Sequence, residues 1–195
     1  MTKEVLDRRP IVVALAGPNG AGKTTFYRAF LQKSGLLFLN ADALSQEMQI
    51  DPYLAAQLAS EIRHLLVAQR ESFIFETVFS DPVQEKLEFL KQAEKAGYTA
   101  VLLFIGLNSP RASDQRVAMR VSQGGHDVPR EKIIGRYTRG KENLRHALQS
   151  LENIYVYDNS DLLGPYRLVA KREDGGRIEL LKPIPSWLKA LLPSR

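Results

Sequence analysis

The chain has 195 residues, enough for one well-buried domain, and its 44% hydrophobic and 25% charged residues are ordinary for a soluble globular protein. It contains no cysteine, which excludes disulfides and thiolate metal sites, and its three histidines are too few for a histidine-rich metal centre. The net charge of +5 suits an anionic ligand but is modest for a protein that binds nucleic acid.

No stretch predicts export or a membrane span. The N-terminal MTKEVLDRRP lacks the apolar core of a secretion signal. The apolar runs IVVALAG and VLLFIGL are far shorter than the roughly 20 residues of a membrane helix. We therefore expect a cytoplasmic protein without a membrane partner.

Strand and helix patterns alternate along most of the chain. Apolar, β-branched runs predict strands at residues 10–17, 36–40, 72–79, 98–107 and 153–159. Helix patterns and caps predict helices at about Lys23–Ser34, from Asp51-Pro52, from Ser80 to Gly97, from Ser109-Pro110 and over about 130–151. The pattern predicts an α/β fold of the P-loop kinase type, a doubly wound parallel five-stranded sheet, as a single domain over residues 1–195. A C-terminal β-hairpin should turn at Asp174-Gly175-Gly176.

A glycine-rich phosphate loop is the strongest motif. GPNGAGKT, residues 17–24, fits G-x-x-x-x-G-K-[ST] at every fixed position and lies between a predicted strand and a predicted helix. Lys23 is expected to reach the β- and γ-phosphates and Thr24 to give a hydroxyl to Mg²⁺. Inward-turned N–H groups and the helix N-terminus should hold the phosphates. The predicted nucleotide-binding residues are Gly17, Pro18, Asn19, Gly20, Ala21, Gly22, Lys23, Thr24 and Thr25.

The absence of two sequence motifs indicates which class of nucleotide-binding protein this is. The fourth predicted strand, AVLLFIGL, ends without an acidic residue, unlike the apolar-strand-plus-Asp signature of motor ATPases and switches. No Asn/Thr-Lys-x-Asp guanine-reading signal is present either. The pattern argues against GTPases and favours a small kinase.

Two carboxylates follow predicted strands. Asp42 comes after the second strand and Glu76 ends the third, so both should face the crevice at the carboxyl ends of the sheet. Phosphoryl transfer to a hydroxyl needs a base, which suits Asp42. Glu76 suits acceptor binding or a water-mediated Mg²⁺ contact. If the two residues had only structural roles, Asp42 would cap the next turn and Glu76 would be a charge at the end of a strand.

Arginines are dense between residues 116 and 145. Arg116 and Arg120 share one helix face, and Arg136 lies on the next helix beyond a Gly-Gly break. We call these two predicted helices, from Ser109-Pro110 to about residue 151, the lid, because two basic helices joined by such a break could close on a polyphosphate. The alternative is a solvated basic surface.

Together these residues resemble the zeta-toxin family of P-loop kinases, in its chromosomal zeta-like branch. The resemblance runs from about Ile11 to Ser160 through GPNGAGKT, FLNAD, FIFETVFS, VLLFIGL and RVAMRVSQGGHDVPREKIIGRY. It implies ATP and Mg²⁺ as cofactors, a nucleotide sugar such as UDP-N-acetylglucosamine as acceptor, and an antitoxin as partner. By position it implies Asp42 as base, Glu76 in the acceptor site, and Arg120 with Arg136 at the transferring phosphate. Arg116 is expected beside them as a substrate-binding residue.

Other functions remain open from the residues alone. Another small-molecule or nucleoside kinase would share this machinery. A nucleic-acid end kinase or a nucleotide-dependent binding module belongs to a different class. Base stacking would need aromatic residues among the basic ones, and the lid offers only Tyr137, so nucleic acid is not the expected partner.

Overall fold

A computed structural model describes residues 3–122 and 128–192. Its strands are β1 (Ile11–Ala16), β2 (Leu37–Leu39), β3 (Phe73–Thr77), β4 (Thr99–Gly106), β5 (Asn153–Asp158), β6 (Arg167–Arg172) and β7 (Glu179–Leu180). They form one sheet in the order β2-β3-β1-β4-β5-β6-β7. The first five strands pair in parallel, and β6 and β7 continue the sheet antiparallel. The predicted parallel sheet and C-terminal hairpin are confirmed, and the hairpin extends the sheet at its edge.

Helices cover both faces of this sheet. They are α1 (Lys3–Leu6), α2 (Lys23–Phe26), α3 (Ala41–Met48), α4 (Pro52–Ala68), α5 (Glu85–Lys95), α6 (Pro110–Ser122), α7 (Arg130–Ser150) and α8 (Ser186–Lys189). Val5 of α1 and Phe26 of α2 belong to one apolar cluster, and Leu90 of α5 and Trp187 of α8 belong to the other. Within the described ranges, no helix has the length and apolar character needed to cross a membrane.

Strand β1 is buried on both sides, which explains its unbroken apolar sequence. Val12, Ala14 and Ala16 face one apolar cluster, whereas Ile11, Val13 and Leu15 face the other. Each fully buried Val, Ile or Leu contributes about 1.5–3 kcal/mol. This strand is therefore a rigid base for the loop that follows it.

The pairing register of the strands determines which residues lie beside the start of the phosphate loop. Leu15 and Ala16 of β1 lie beside Glu76 and Thr77 of β3. Because the carboxyl ends of parallel strands meet at one edge, Glu76 lies next to the point where the phosphate loop leaves β1.

The helix after the phosphate loop differs from the continuous helix that we expected. It is α-helical only over α2, then π-helical over Tyr27–Leu31 and 3₁₀ over Gln32–Ser34. The wider turn accompanies an aromatic cluster, in which the rings of Phe26 and Phe30 both lie edge-on to Tyr166. Gly35 follows as the C-cap, with a φ of 69°, and ends the segment.

Two further differences concern helix starts. Helix α3 was not predicted, and the side chain of Asn40 caps it by accepting hydrogen bonds from the N–H groups of Asp42 and Ala43. Helix α5 begins at Glu85 rather than near Ser80. Gln84 has a φ of 56°, and this left-handed backbone separates the turn at residues 81–84 from the helix.

Candidate active site

The phosphate loop follows β1 and depends on glycine at defined points. Gly17 has a φ of 144°, and a side chain there would collide with the carbonyl of Ile105. Gly22 has a φ of 87°, and a Cβ there would lie 2.7 Å from the Tyr166 hydroxyl. Both positions therefore need glycine for backbone shape and for space.

Three side chains from elsewhere in the fold hold the carbonyl groups of the loop. Ser113 of α6 donates to the Asn19 carbonyl. Asn159, just after β5, donates to the Ala21 carbonyl at 2.9 Å, and the Tyr166 hydroxyl donates to the Gly22 carbonyl at 2.9 Å. With these carbonyl groups bound outward, the loop is arranged to present N–H groups to an anion.

Lys23 is the first residue of α2, and its side chain is only 7% exposed. Its Nζ donates to the carbonyl groups of Gly17 at 3.0 Å and Pro18 at 3.3 Å, and lies 3.8 Å from Glu76 Oε1. Burial lowers the pKa of Lys23 and the charges of Arg120 and Arg136 add to this effect, whereas Glu76 and Asp42 oppose it. The cation is thus held at the loop by a carboxylate and two carbonyl groups.

Glu76, at the end of β3, is the centre of a polar network. Its Oε2 accepts hydrogen bonds from Thr24 Oγ1 and from Asn40 Nδ2, both at 3.0 Å. Asn40 therefore links the carboxylate to the start of α3, which it also caps. A hydroxyl beside a carboxylate fits Mg²⁺, which takes one or two protein oxygens and fills its remaining positions with water and phosphate.

Asp42 and Thr25 are also placed near the loop. Asp42 lies in the first turn of α3 with an exposed side chain, and the capping role belongs to Asn40. Thr25 lies in α2, close to the Tyr166 hydroxyl. Asp42 therefore does not cap the helix, which was the structural alternative to its role as a base.

One cavity of about 560 Å³ lies beyond the carboxyl ends of β1, β2 and β3. Lys23, Asp42 and Glu76 line it together with Arg120 of α6 and Arg136 of α7. Its described charged lining residues are three acids and seven bases: Asp42, Glu76, Asp81, Lys23, Arg63, Lys86, Arg120, Lys132, Arg136 and Arg139. Such an excess of positive charge suits a polyanionic ligand.

Arg116 lies elsewhere, although it is one helical turn before Arg120. Its Nη2 donates to the carbonyl of Asn159 at 2.7 Å, and its Cβ lies over Gly20. Arg116 is not among the described residues that line the cavity. Its guanidinium binds Asn159, whose side chain holds the Ala21 carbonyl of the phosphate loop, so its contacts differ from those of the cavity-lining residues with which it was grouped.

The cavity also contains residues that the sequence analysis did not select. Arg63 of α4 is 5% exposed, its guanidinium lies over the rings of Phe75 and Phe89, and it binds Glu85 Oε1 at 3.0 Å. Asp81 lies five residues beyond Glu76, past the end of β3. The same strand-end rule that selected Glu76 could have found Asp81, whereas nothing in a helical apolar pattern indicates Arg63.

The Gly-Gly break predicted between the two lid helices falls at residues 123–127, outside the described residues. On either side of that gap, the two lid helices contact each other through Arg130 Nε, which lies 3.4 Å from Asp114 Oδ2. Tyr137 is buried, and its hydroxyl donates to the Leu107 carbonyl at 2.8 Å.

The strand order, the phosphate loop after β1 and the helical lid define an α/β protein of the P-loop kinase type. More particularly, residues 12–136 match the AAA domain family, and the chain belongs to it.

The chain is similar in sequence to a curated protein and in fold to solved structures. An uncharacterized protein of Haemophilus influenzae is 28% identical over 128 residues, which cover 62% of this chain and 88% of that protein. The solved AvrRxo1-ORF1:-ORF2 complex is similar with a TM-score of 0.70 and 17% identity over 92% of this chain. This chain spans 64% of that structure's chain. A structure from the PezAT chromosomal toxin-antitoxin system of Streptococcus pneumoniae has a TM-score of 0.57 and 18% identity, covering 81% of this chain and 79% of that chain.

Proposed function

We propose that this protein is an ATP-dependent phosphotransferase that moves the γ-phosphate of ATP to a hydroxyl group of a small molecule. The observation that carries the proposal is the presence of Lys23, Asp42, Glu76, Arg120 and Arg136 around one cavity. A base, a phosphate-binding lysine and a pair of arginines are the parts that phosphoryl transfer needs. We propose further that the whole chain works as one domain of this kind, in the cytoplasm.

ATP is proposed to lie with its phosphates on the loop, where Lys23 would exchange its carbonyl partners for phosphate oxygens. Thr24 Oγ1 and the neighbouring Glu76 carboxylate are the groups that would hold Mg²⁺, directly and through water. The metal, when bound, neutralises charge on the phosphates. Among the described residues, no cluster of three acidic or histidine side chains could hold a metal alone, so the proposed Mg²⁺ depends on nucleotide oxygens.

The acceptor hydroxyl is proposed to lie beside Asp42. Asp42 accepts the hydroxyl proton, the acceptor oxygen forms a bond to the γ-phosphorus, and the bond from that phosphorus to the bridging oxygen breaks to release ADP. Arg120 and Arg136 would bind the equatorial oxygens of the transferring group from the lid side. Arg116 would act indirectly, by holding the segment after β5 against the loop.

A nucleotide sugar such as UDP-N-acetylglucosamine is the acceptor that we propose first. The seven cationic side chains around the cavity favour an acceptor that is itself anionic. The resemblance of the motifs to the chromosomal zeta-like branch supports the same acceptor class. A toxic activity and an antitoxin partner belong to this proposal, and the fold shared with a structure from a toxin-antitoxin system is consistent with them.

The aromatic residue of the lid does not favour a nucleic acid as the acceptor. Base stacking needs an exposed aromatic face, and Tyr137 is buried with its hydroxyl bound to a carbonyl group. Tyr53, at the cavity rim beside Lys132, is exposed, but it is a single ring.

The test is to incubate the purified protein with ATP, Mg²⁺ and separate UDP-sugars, nucleosides, simple sugars and short oligonucleotides. Phosphorylation of a UDP-sugar supports the full proposal, whereas phosphorylation of another small alcohol supports only the phosphotransferase. Phosphorylation of oligonucleotide ends would mean that the acceptor is a nucleic acid rather than a small molecule.

A further inference from the structure

The cavity lining includes a carboxylate without a hydrogen-bond partner among the described residues. The side chain of Asp81 is 12% exposed and lines the cavity. Both of its oxygens are buried, and neither accepts a hydrogen bond from any residue that the structure describes. Buried polar atoms are nearly always hydrogen-bonded, and leaving a charged one without a partner is costly, so this carboxylate requires an explanation.

Asp81 does not use its side chain to hold the local backbone. Asn143 Nδ2 donates to the carbonyl groups of Phe79 and Asp81, both at 3.0 Å. Arg139 Nε donates to the carbonyl of Ser80 at 2.9 Å. The segment is therefore fixed by α7 through its main chain. The carboxylate of Asp81 also caps no helix, because α5 begins four residues later without a side-chain cap.

Asp81 belongs to a small network of charged side chains. Lys86 Nζ lies 3.9 Å from Asp81 Oδ1 and also pairs with Glu85. Arg63, which binds Glu85, is close enough that the charge of Asp81 acts on it. Two cations thus face two carboxylates. A positively charged ligand would meet Arg63 and Lys86, so the groups best suited to Asp81 are neutral hydrogen-bond donors.

We propose that Asp81 determines acceptor specificity by accepting hydrogen bonds from hydroxyl groups of a neutral, polyhydroxylated part of the acceptor, such as a sugar ring. This inference rests on the proposed function, since it extends the same cavity. Because the reacting hydroxyl is assigned to Asp42, Asp81 is proposed to bind other hydroxyl groups of the acceptor. It is a binding residue rather than the base.

The experiment measures sugar binding without ATP, by NMR titration of the whole protein with glucose, ribose, N-acetylglucosamine, glucosamine and myo-inositol. At least one neutral sugar should bind the wild type, and Asp81→Asn should weaken that binding by about 10- to 100-fold, the effect expected for a hydrogen bond to a charged group. Glucosamine, which carries an ammonium group, should bind no more tightly than N-acetylglucosamine. The matched control is Glu88→Gln, since Glu88 is exposed on α5 and should leave sugar affinity unchanged.

Thermal unfolding provides a second readout. Because the Asp81 carboxylate makes no hydrogen bond to the described residues, Asp81→Asn should keep the melting temperature or raise it. A clearly lowered melting temperature, or failure to fold, would make Asp81 a structural residue and overturn the proposal. Equal sugar binding by wild type and variant, or no sugar binding by the wild type, would overturn it as well. None of these measurements requires turnover, so a protein that binds sugar through Asp81 but transfers no phosphate would refute the proposed function alone.

Discussion

Glu76 Oε2 accepts a hydrogen bond from Thr24 Oγ1 at 3.0 Å, while Glu76 Oε1 lies 3.8 Å from Lys23 Nζ. One carboxylate at the end of β3 therefore contacts both functional side chains of the phosphate loop. The parallel register beside β1 places it there. This arrangement couples the proposed metal ligand, the phosphate-binding cation and the acceptor side of the cavity.

The first prediction concerns that carboxylate. Glu76→Gln keeps a hydrogen-bond acceptor for Thr24 but removes the charge that would support Mg²⁺. The Mg²⁺ concentration for half-maximal phosphotransfer should rise by about tenfold or more, as is typical when an outer partner of a metal site is lost. Magnesium titrations of the variant and of Glu71→Gln, an exposed residue just before β3, make the comparison. An unchanged Mg²⁺ requirement would leave Glu76 with an acceptor-binding role.

Lys23 gives the second prediction. Lys23→Ala should lower phosphotransfer by roughly 10²- to 10³-fold or more, because it removes a buried cation from the developing charge on the phosphates. Circular dichroism should show a folded protein. Lys33→Ala, which changes an exposed lysine at the end of the same helical segment, should retain full activity. A folded Lys23→Ala protein with near-normal turnover would refute the phosphate-loop assignment.

The third prediction separates chemistry from nucleotide binding at Asp42. Asp42→Asn should keep ATP affinity, because Asn40 still caps α3, while phosphotransfer falls by roughly 10²- to 10⁴-fold through loss of a positioned base. ATP affinity is measured by calorimetry and transfer by a coupled assay, with Glu47→Gln on the same helix as control. If ATP affinity fell as far as the rate, Asp42 would be a metal ligand instead.

The fourth prediction concerns the two lid arginines on the cavity. Arg120→Ala and Arg136→Ala should each lower kcat much more than they raise the KM for ATP, since the arginines would bind the transferring phosphate most tightly in the transition state. Arginines in such roles are worth about 10³–10⁵ in rate.

Arg145→Ala is the matched control, because Arg145 lies exposed on the same helix as Arg136 and pairs with Glu142. Steady-state kinetics at two salt concentrations complete the test. Small, salt-screened effects in both lid variants would indicate surface charge only.

Much of this fold follows from short-range sequence patterns. The unbroken apolar run of β1, the glycine spacing of the loop and the alternation of strands and helices each depend on neighbours in sequence, and these predict the parallel sheet and where Glu76 lies. The break at Tyr27–Leu31 could not be predicted, because it accompanies contacts of Phe26 and Phe30 with Tyr166, more than 130 residues away in the chain.

The same limit applies to the site. Spacing of four residues places Arg116 and Arg120 on one helix face, but it does not show that Arg116 is bound to the main chain after β5. Arg63 lies on a helix face that packs against Phe75 and Phe89, and only the three-dimensional structure brings it to the cavity. Side chains that depend on distant segments remain outside the reach of local patterns.

Transfer of labelled γ-phosphate from ATP to a separated, non-nucleic-acid small molecule tests the central claim most directly. The account predicts that wild-type protein with Mg²⁺ phosphorylates a hydroxyl compound, with UDP-N-acetylglucosamine the first candidate, and that Lys23→Ala and Asp42→Asn do not. ATP bound at the loop with no label transferred to any compound in the panel or in a small-molecule cell extract would contradict it.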